Sequence, residues 1–529
     1  MFMIGMSRTA LLGEVNFTPE KGIASMSKDL KKLGRVAAMV TASALASAAL
    51  AQPGSGDPDV IVGDLIGYSN YGTNSAGTPN DNWIYAYAIG TTSCNVAPVN
   101  NSVNDLLWVA STNRHPVIGQ NVYRLSVKNG ATRLEMIGQG WLKHGFTALT
   151  QSLCNTCSGR GGSVLGVGCS DPYSSGLNGS QSNLGPRNHV NVTTGFFPYP
   201  FTNPGAGYSA PPAATAVIGR RVQIKRVDIN PAQNPNSLYF SESQYVAQDD
   251  SAERTKSRGN YAASTNNASY RRATVTNNAQ FSLSNADTTR RTSPGIFAWR
   301  DYGGRAANGN FNMTVDNEVE LVSLDFEGDG RYWVAGRVTD LGNGTWRYEY
   351  AVENLTSSRA GGGFKVPVPA GVSISNIGFH DVDYHSGEPF DNTDWASSVG
   401  GGFVTWSSPQ TYAQNPNSNA LRWSTMYNFF FDANTAPVAE DVELILFKPG
   451  APGSMFATVK APGELPPPPC PPCIADYNES GGTPDDADVA EFFAAWNNGE
   501  PCADANGSGG TPDDADVTEF FTLWNNGGC

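Results

Sequence analysis

Two acidic loops near the C-terminus carry residue types that can bind calcium. Asp476–Gly481 reads DYNESG, and Asp504–Gly509 reads DANGSG. Oxygen-bearing side chains at loop positions one, three and five point inward, and the glycine that follows permits a sharp turn, which together suit a Ca²⁺ ion. The two loops therefore predict two Ca²⁺ sites.

A calcium loop of this kind closes with a carboxylate at its twelfth position. Asp488 and Asp516 stand at the thirteenth position instead, and Asp485 and Asp513 lie three residues earlier, where a ninth-position ligand would lie. Each loop must therefore accommodate one extra residue between the glycine and its second half. The candidates for the backbone carbonyl ligand are Gly482 or Thr483 in the first loop and Gly510 or Thr511 in the second.

The segment that contains the first loop is duplicated. Asp476–Gly499 repeats at Asp504–Gly527, with a shift of 28 residues and five differences. A repeat at a fixed period indicates two copies of one structural unit, each of which needs the other to bury its apolar face. The sequence therefore predicts one small module built from two equivalent halves.

Each loop is followed by the pattern of an amphipathic helix. Pro484 and Pro512 precede acidic runs, and a helix N-terminus accepts proline and favours negative charge. Apolar residues then recur at positions i, i+3, i+4 and i+7. These are Val489, Phe492, Phe493 and Trp496 in the first copy, and Val517, Phe520, Phe521 and Trp524 in the second. Two such helices can bury their aromatic side chains against each other.

The two loop–helix units resemble the dockerin family, in the variant that ends in Gly-Cys, here Gly528-Cys529, and closes many exported planctomycete-type proteins. The resemblance covers residues 473–529. It implies two bound Ca²⁺ ions and a partner, a cohesin or another cell-surface docking protein, that contacts the helices. The implied ligands are Asp476, Asn478, Ser480, Asp485 and Asp488 for one ion, and Asp504, Asn506, Ser508, Asp513 and Asp516 for the other.

The alternative is an acidic repeat that needs no metal. Residues 474–529 hold twelve Asp or Glu residues and no Lys or Arg. Several carboxylates close together in each loop would repel one another strongly without a cation. The calcium interpretation is therefore favoured over the metal-free one.

Residues 1–51 have the three parts of an export signal, and we expect the true start at Met26. A charged region that ends at Arg35 precedes the apolar run Val36–Ala48 and the small-residue cleavage site Ala49–Ala51. The apolar run is too short and too rich in alanine to span a membrane. We therefore expect a secreted or cell-surface protein that begins at Gln52 and has no transmembrane segment.

Export places the eight cysteines in an oxidising compartment, where disulfides are the default. Four cysteines allow three connectivities, and we predict Cys473–Cys529, which flank the duplication, and Cys470–Cys502. The other four cysteines lie in the body, with His144 and His189 in the same part of the sequence. A metal site is the alternative there, and disulfides are favoured. These body cysteines are Cys94, Cys154, Cys157 and Cys169.

Composition predicts a mainly β protein. Together with the export signal and the resemblance of the tail, we expect a secreted β-sandwich-type body and a small α-helical, dockerin-like calcium module. The chain has 529 residues, 58 of them Gly and 34 Pro, which suits short strands joined by turns. The predicted divisions are the signal at 1–51, a Gly/Asn-rich β region at 60–292, a β-sandwich at 293–460, a Pro-rich linker at 461–472 and the calcium module at 473–529.

Strand patterns are clearest in the predicted sandwich. Residues 346–353 alternate apolar and polar side chains, which is typical of a strand with one buried face. The other predicted strands are Trp83–Ile89, Ala216–Ile224, Val319–Phe326, Arg331–Val338, Val372–Phe379, Met426–Phe431 and Val442–Phe447.

Three polar clusters in the body have both a functional and a plain structural interpretation. His380–Glu388 contains two histidines and three carboxylates, so a metal or acid–base site is possible, although a polar turn is favoured. Asp325–Gly330 resembles the start of a calcium loop, but no closing carboxylate follows and a hairpin turn is favoured. The basic residues of Arg220–Arg226 are interpreted as a solvated strand edge and not as a nucleic-acid site.

No nucleophile elbow, phosphate-binding loop, zinc-protease motif or dinucleotide fingerprint occurs in the sequence. The leading hypothesis is an exported protein that a calcium-bound tail docks to an extracellular partner, while the β body binds a ligand, with carbohydrate the favoured class. The alternatives are an extracellular polysaccharide hydrolase and a structural envelope protein.

Overall fold

The computed structural model describes residues 57–201, 217–257, 263–464 and 470–528. The predicted export signal and the prolines 466–469 of the linker lie outside the described residues. The described chain is mainly β, as composition predicts, with large antiparallel sheets. No helix within these ranges is both long and apolar enough to cross a membrane.

The first part of the body is an eleven-stranded antiparallel sheet with the main order β1-β2-β10-β5-β4-β11-β12-β13. β8 pairs with β2, β6 pairs with β4 and β9, and β3 and β7 form a separate pair. The strands are β1 Val60–Gly72, β2 Ile84–Asn95, β3 Leu106–Leu107, β4 Val117–Lys128, β5 Ala131–Gln139, β6 Leu142–Lys143, β7 Val164–Leu165, β8 Ser170–Tyr173, β9 Leu184–Gly185, β10 Val222–Lys225, β11 Leu238–Val246, β12 Ala268–Val275 and β13 Leu283–Asn285.

The second part consists of two five-stranded sheets, β14-β15-β16-β21-β18 and β19-β20-β17-β22-β23. Their strands are β14 Glu320–Phe326, β15 Gly330–Gly342, β16 Thr345–Asn354, β17 Gly361–Pro367, β18 Ile374–His380, β19 Ala396–Gly400, β20 Phe403–Ser407, β21 Thr425–Ala433, β22 Pro437–Leu446 and β23 Ser454–Pro462. Phe364 of one sheet stacks on Phe429 of the other with 4.6 Å between ring centroids. The predicted β-sandwich is confirmed, and its last strand extends two residues into the predicted linker.

Helices are short in the body and longer in the tail. The α-helices are α1 Ser175–Asn178, α2 Arg226–Ile229, α3 Ala252–Ser257, α4 Phe297–Tyr302, α5 Asp486–Asn498 and α6 Asp514–Asn525. The 3₁₀ turns are Ser102–Asn104, Gln181–Asn183, Arg187–His189, Ala263–Thr265 and Pro501–Ala503.

The predicted strand Ala216–Ile224 is wrong in its first half. Residues 217–220 form a turn and β10 begins only at Val222, while residue 216 lies outside the described ranges. The predicted strand edge is also wrong, because β10 pairs with β2 on one side and β5 on the other. Its flanking cations have local partners: the Arg221 guanidinium lies 3.4 Å from the Tyr71 ring centroid, and Lys225 pairs with Asp383 at 2.6 Å.

β16 is buried on both faces, although its alternating sequence predicts one buried face. Tyr348 and Tyr350 point into the sandwich core. The opposite face, which carries Arg347, Glu349 and Glu353, is buried against the first sheet. The polar half of the alternation is therefore an internal interface and not a solvent surface.

A buried ion pair links the two parts of the body across this interface. The Arg133 guanidinium of β5 donates to both Glu349 carboxylate oxygens, at 2.7 and 2.8 Å. One hydrophobic cluster also contains Tyr123, Leu125 and Met136 of the first sheet together with side chains of both sandwich sheets. The predicted division near residue 293 therefore does not separate the hydrophobic core.

A buried carboxyl pair lies in the same interface. The Tyr123 hydroxyl is 3.2 Å from a carboxyl oxygen of Glu242 and 3.0 Å from one of Glu353. One hydroxyl hydrogen cannot serve both oxygens, and two carboxylates held this close cannot both ionise at low cost. Burial raises the pKa of both carboxyl groups, and that of Glu353 lies well above its ordinary value.

This pair is expected to contribute a stability that falls as pH rises. Above about pH 4.3 the unfolded chain releases the Glu353 proton, whereas the folded chain retains it. Each further pH unit therefore lowers the free energy of unfolding by up to about 1.4 kcal/mol. Glu353→Gln cannot ionise in either state. We expect its stability relative to the native chain to increase between about pH 5 and pH 8 in urea unfolding. Glu440→Gln, which alters an exposed side chain of β22, is the control. Parallel pH curves for Glu353→Gln and the native chain would contradict the assignment.

The body cysteines form the disulfides Cys94–Cys154 and Cys157–Cys169. The alternative of a metal site with His144 and His189 is therefore wrong for these four sulfurs. His144 instead packs against Phe201, with 4.1 Å between ring centroids.

The segment Asp325–Gly330 is the predicted hairpin turn between β14 and β15. Arg331 closes it by donating to both carboxylate oxygens of Asp325, at 2.6 and 2.9 Å. Asp329 accepts instead from the Ser358 hydroxyl at 2.6 Å, so neither aspartate needs a metal as its partner.

Candidate calcium-binding module

The two predicted helices are present as α5 and α6, and each begins with the same cap. The Asp485 carboxylate accepts from Ala487 N at 2.8 Å, and the Asp513 carboxylate accepts from Ala515 N at 2.8 Å. Asp488 and Asp516 complete capping boxes by accepting from the backbone N–H of these N-cap residues. Such caps satisfy N–H groups that a helix leaves free at its first turn.

The aromatic faces of the two helices pack against each other, as their spacing predicts. Phe492 and Phe520 are fully buried and stack with 4.0 Å between ring centroids and an angle of 11° between planes. Beside this pair, the ring centroids of Phe493 and Phe521 lie 6.1 Å apart. The duplicated units therefore share one small core.

Each helix also contacts the beginning of the other through a tryptophan. The Trp496 indole N–H donates to the Asp513 carbonyl at 2.9 Å, and that of Trp524 donates to the Asp485 carbonyl at 3.3 Å. The sequence assigns these residues only to the apolar faces. The sequence signal for their hydrogen bonds is the equivalent place of the two tryptophans in both copies. An indole N–H near a core usually finds an acceptor.

The first acidic loop curls around its own carboxylates. Asp476 accepts from Gly481 N at 3.1 Å, and Asp488 accepts from Asn478 N at 3.1 Å. The Asn478 side-chain oxygen in turn accepts from Ser480 N at 2.9 Å. The beginning, middle and end of the predicted ligand set are thus brought into one loop.

The second loop repeats this geometry. Asp504 accepts from Gly509 N at 2.8 Å, Asp516 accepts from Asn506 N at 3.2 Å, and Asn506 accepts from Ser508 N at 2.8 Å. Two copies that differ in sequence at other loop positions form the same hydrogen bonds. The loop conformation therefore depends on the residues that the copies share.

Consecutive glycines accommodate the extra loop residue. Gly481 and Gly482 have φ of 75° and 100°, and Gly509 and Gly510 have φ of 79° and 99°. Positive φ is a region that glycine enters without steric cost. The second left-handed glycine lets the chain turn once more before the helix, so the closing Asp488 and Asp516 still reach the loop.

The donor set fits a hard cation such as Ca²⁺. Asp488 and Asp516 are 1% exposed, and the Asp504 side chain lies close to the Asp516 carboxyl group. Burial acts to raise the pKa of Asp516, but N–H groups of Asp513 and Asn506 hold the pKa below its ordinary value. Two ionised carboxylates this close would repel each other, and a cation between them would relieve that repulsion. Calcium takes carboxylate, amide and carbonyl oxygens together.

Acidic side chains alone do not complete either loop. Within the described part of the chain, no three His, Cys, Asp or Glu side chains converge in a metal-holding arrangement. Asp485 and Asp513 each commit one oxygen to a helix cap. An ion would therefore need Asn478 and Ser480, or Asn506 and Ser508, as predicted, together with a backbone carbonyl.

One predicted disulfide of the tail is confirmed. Cys470 and Cys502 are bonded, which ties the segment before the first loop to the turn between the two units. Cys529 lies outside the described residues, so the Cys473–Cys529 pair stays a prediction.

The polar segment at the end of β18 divides its charged groups, because His380, Asp381 and Asp383 line one cavity and Glu388 lines another. Asp381 accepts from the Asn419 amide at 2.5 Å. The buried His385 donates from Nε2 to the Arg221 carbonyl at 3.0 Å and accepts at Nδ1 from Gly387 N. Burial lowers the pKa of His385 to about 3. This histidine is therefore neutral and structural.

No family model and no curated protein matches the chain. The assignment of a function therefore rests on the geometry described above.

Proposed function

We propose that the protein is exported and that its C-terminal module, held by two Ca²⁺ ions, docks it to an extracellular or cell-surface partner. The β body would bind a ligand, with carbohydrate the favoured class. The observation that carries this proposal is the identical folding of two duplicated loops, in which a buried closing aspartate reaches back to the third loop position.

Calcium supports this proposal better than a metal-free acidic module. The tail has twelve acidic residues and no Lys or Arg in residues 474–529, so no internal cation offsets its charge. A module of this size also buries few apolar side chains, and small domains usually need ions or disulfides for stability. Divalent ions would supply both the charge compensation and the stability.

The outward faces of the helices suit contact with another protein. Ala490 and Ala494 of α5 and the equivalent Thr518 and Thr522 of α6 are exposed. Small side chains let a partner approach the helix backbone closely, and the surrounding acidic residues favour a partner with basic or hydroxyl groups. A cohesin-like protein or another envelope protein is the proposed partner.

Capture from an extracellular and envelope fraction tests the docking role. Immobilised full-length chain is expected to retain a partner in calcium and to release it in chelator. Asp488→Ala/Asp516→Ala should lose capture. Asp486→Asn/Asp514→Asn removes two exposed charges from the same helical turns and should retain it. Equal capture with calcium and with chelator would refute the proposal.

A second candidate function, polysaccharide hydrolysis, is favoured by one cavity of the body. The cavity has a volume of about 470 Å³ and is lined by Asp381, Asp383 and Asp394. Burial raises the pKa of Asp381 to about 7, which suits a general acid at neutral pH. Release of reducing ends by the native chain that is lost in Asp381→Asn would support hydrolysis, whereas no release by either chain would exclude it for the polysaccharides assayed.

A further inference from the structure

A second cavity of the body lies where the two β regions meet. It has a volume of about 450 Å³, within the range of sites for small molecules. The 3₁₀ turn Arg187–His189 and the segment after it form one wall. Side chains from the segments 357–360, 384–390 and 412–425 of the sandwich region, together with Lys448, form the others. The cavity is therefore built by both regions.

The lining of this cavity is cationic although the chain as a whole has a net charge of −14. Arg187, Arg422 and Lys448 line it, with Glu388 as the acidic lining residue. Among the residues that the structure describes, neither Arg422 nor Lys448 forms a salt bridge. Burial, together with repulsion from Arg422, lowers the pKa of Lys448, although attraction to Asp329 acts against this shift. An anion in the cavity would offset the repulsion between Lys448 and Arg422.

Arg187 places a buried positive charge at the wall of the cavity. Arg187 is 5% exposed. Its guanidinium donates to the carbonyls of Gly140, Ser424 and Gln120 and to the Asn121 amide oxygen. These acceptors are neutral. Glu388 accepts from the backbone N–H of Arg187 at 2.7 Å, and burial raises the pKa of Glu388 to about 7, so its charge is partial at neutral pH. The local potential is therefore positive.

Aromatic and amide groups complete the cavity. The Arg422 guanidinium stacks at 3.6 Å from the Phe390 ring centroid, which holds the cation in place. Tyr384, Tyr412 and Trp423 add aromatic lining, and Asn188, Asn191 and Asn417 add amide groups. Sites of this composition recognise a ring by its apolar face and fix its orientation through a few polar contacts.

We propose that this cavity binds an acidic saccharide, whose carboxylate or sulfate group lies against Lys448 and Arg422 and whose ring packs on the aromatic lining. This inference rests on the proposed ligand-binding role of the body and names the class of ligand. It is independent of the calcium module.

Titration calorimetry of the full-length chain tests this assignment with three oligosaccharides of equal length: a uronate, a sulfated galactan fragment and a neutral glucan. We expect the uronate, the sulfated fragment or both to bind, with affinity that falls as salt rises. The stronger of the two identifies the anionic group. Preference for the neutral glucan, or binding that does not depend on salt, would overturn the proposal.

Two substitutions in the cavity lining and one control outside it locate the binding. Lys448→Gln should weaken binding of the acidic oligosaccharide at least tenfold, because a charged hydrogen bond is lost. Lys365→Gln removes a charge that is paired with Glu443 elsewhere in the sandwich and should leave the affinity unchanged. Asn417→Asp adds a negative charge at an exposed lining position and should also weaken binding without altering the core.

The outcomes separate this inference from the docking proposal. Unchanged affinity in both Lys448→Gln and Asn417→Asp would refute the cavity as the site, even if saccharide binds elsewhere on the body. Affinity for the oligosaccharide should be the same in calcium and in chelator. Capture of the envelope partner, which depends on the tail, is measured separately.

Discussion

Chelation of calcium is expected to unfold residues 476–528 of the full-length chain while the β body stays folded. Without a cation, Asp504 and Asp516 would hold two negative charges in contact, and the first loop has the same arrangement of residues. Calcium at about 1,000 times its dissociation constant would stabilise each site by about 4 kcal/mol, which is large for so small a core. The helices should therefore depend on the ion.

Hydrogen exchange measured by mass spectrometry can follow the tail and the body in the same sample. Peptides from α5 and α6 should lose protection in chelator, whereas peptides from β16 and β21 should not. Calorimetric titration should give two calcium ions per chain. Asp488→Ala/Asp516→Ala should resemble the chelated protein, and Asp486→Asn/Asp514→Asn should resemble the native one. Equal protection of the two helices with and without calcium would contradict the metal assignment.

Arg133→Met is expected to destabilise the body by about 3–5 kcal/mol. The substitution removes one partner of a buried ion pair, and the uncompensated charge that remains is costly. Glu349 is 0% exposed, so solvent cannot replace the guanidinium. Arg347 lies 3.5 Å from the same carboxylate, which places the expected loss at the lower end of this range. The Arg133 guanidinium also packs on Phe430 at 3.5 Å, and that contact is lost as well.

Urea unfolding of Arg133→Met, Glu349→Leu and the double variant measures the pair. The double variant replaces two charges by apolar groups and should recover most of the stability, since well-packed hydrophobic replacements of buried ion pairs are often neutral. Because one hydrophobic cluster spans both β regions, all variants should unfold them in a single transition. A loss below about 1 kcal/mol for Arg133→Met would show that the interface contributes little.

The tail could be predicted from the sequence because its information is local and occurs twice. The acidic loops, the prolines before the helices and the i, i+3, i+4, i+7 aromatic residues each specify their own structure within a few residues. Their repetition at 28 residues excludes coincidence. The positive φ of the second glycine in each loop was not predicted, although it solves the misfit of the closing carboxylate.

The interface between the two β regions could not be predicted, because its signals lie far apart in sequence. Alternation in β16 predicts the strand correctly but implies that Glu349 and Glu353 face solvent. Their partners, Arg133 and Tyr123, lie more than 200 residues away. A period-two pattern cannot distinguish a polar face that meets water from one that meets complementary charges.

The cationic cavity was missed for the same reason. His380–Glu388 is one polar cluster in the sequence, whereas in the folded protein Asp381 and Asp383 line one cavity and Glu388 lines the other. Arg187 and Lys448, which share a cavity with Glu388, come from distant segments. Only the packing of the two regions brings them together.

The crossed tryptophan contacts make the two halves of the tail an obligate pair. Trp524 bonds to the carbonyl at the start of the first helix, and Trp496 bonds to the one at the start of the second. A chain shortened to a single unit would leave an indole and a helix start without their partners, and would expose the stacked Phe492 face. We therefore expect the two halves of the tail to fold only together, so that neither copy can be deleted without loss of the other.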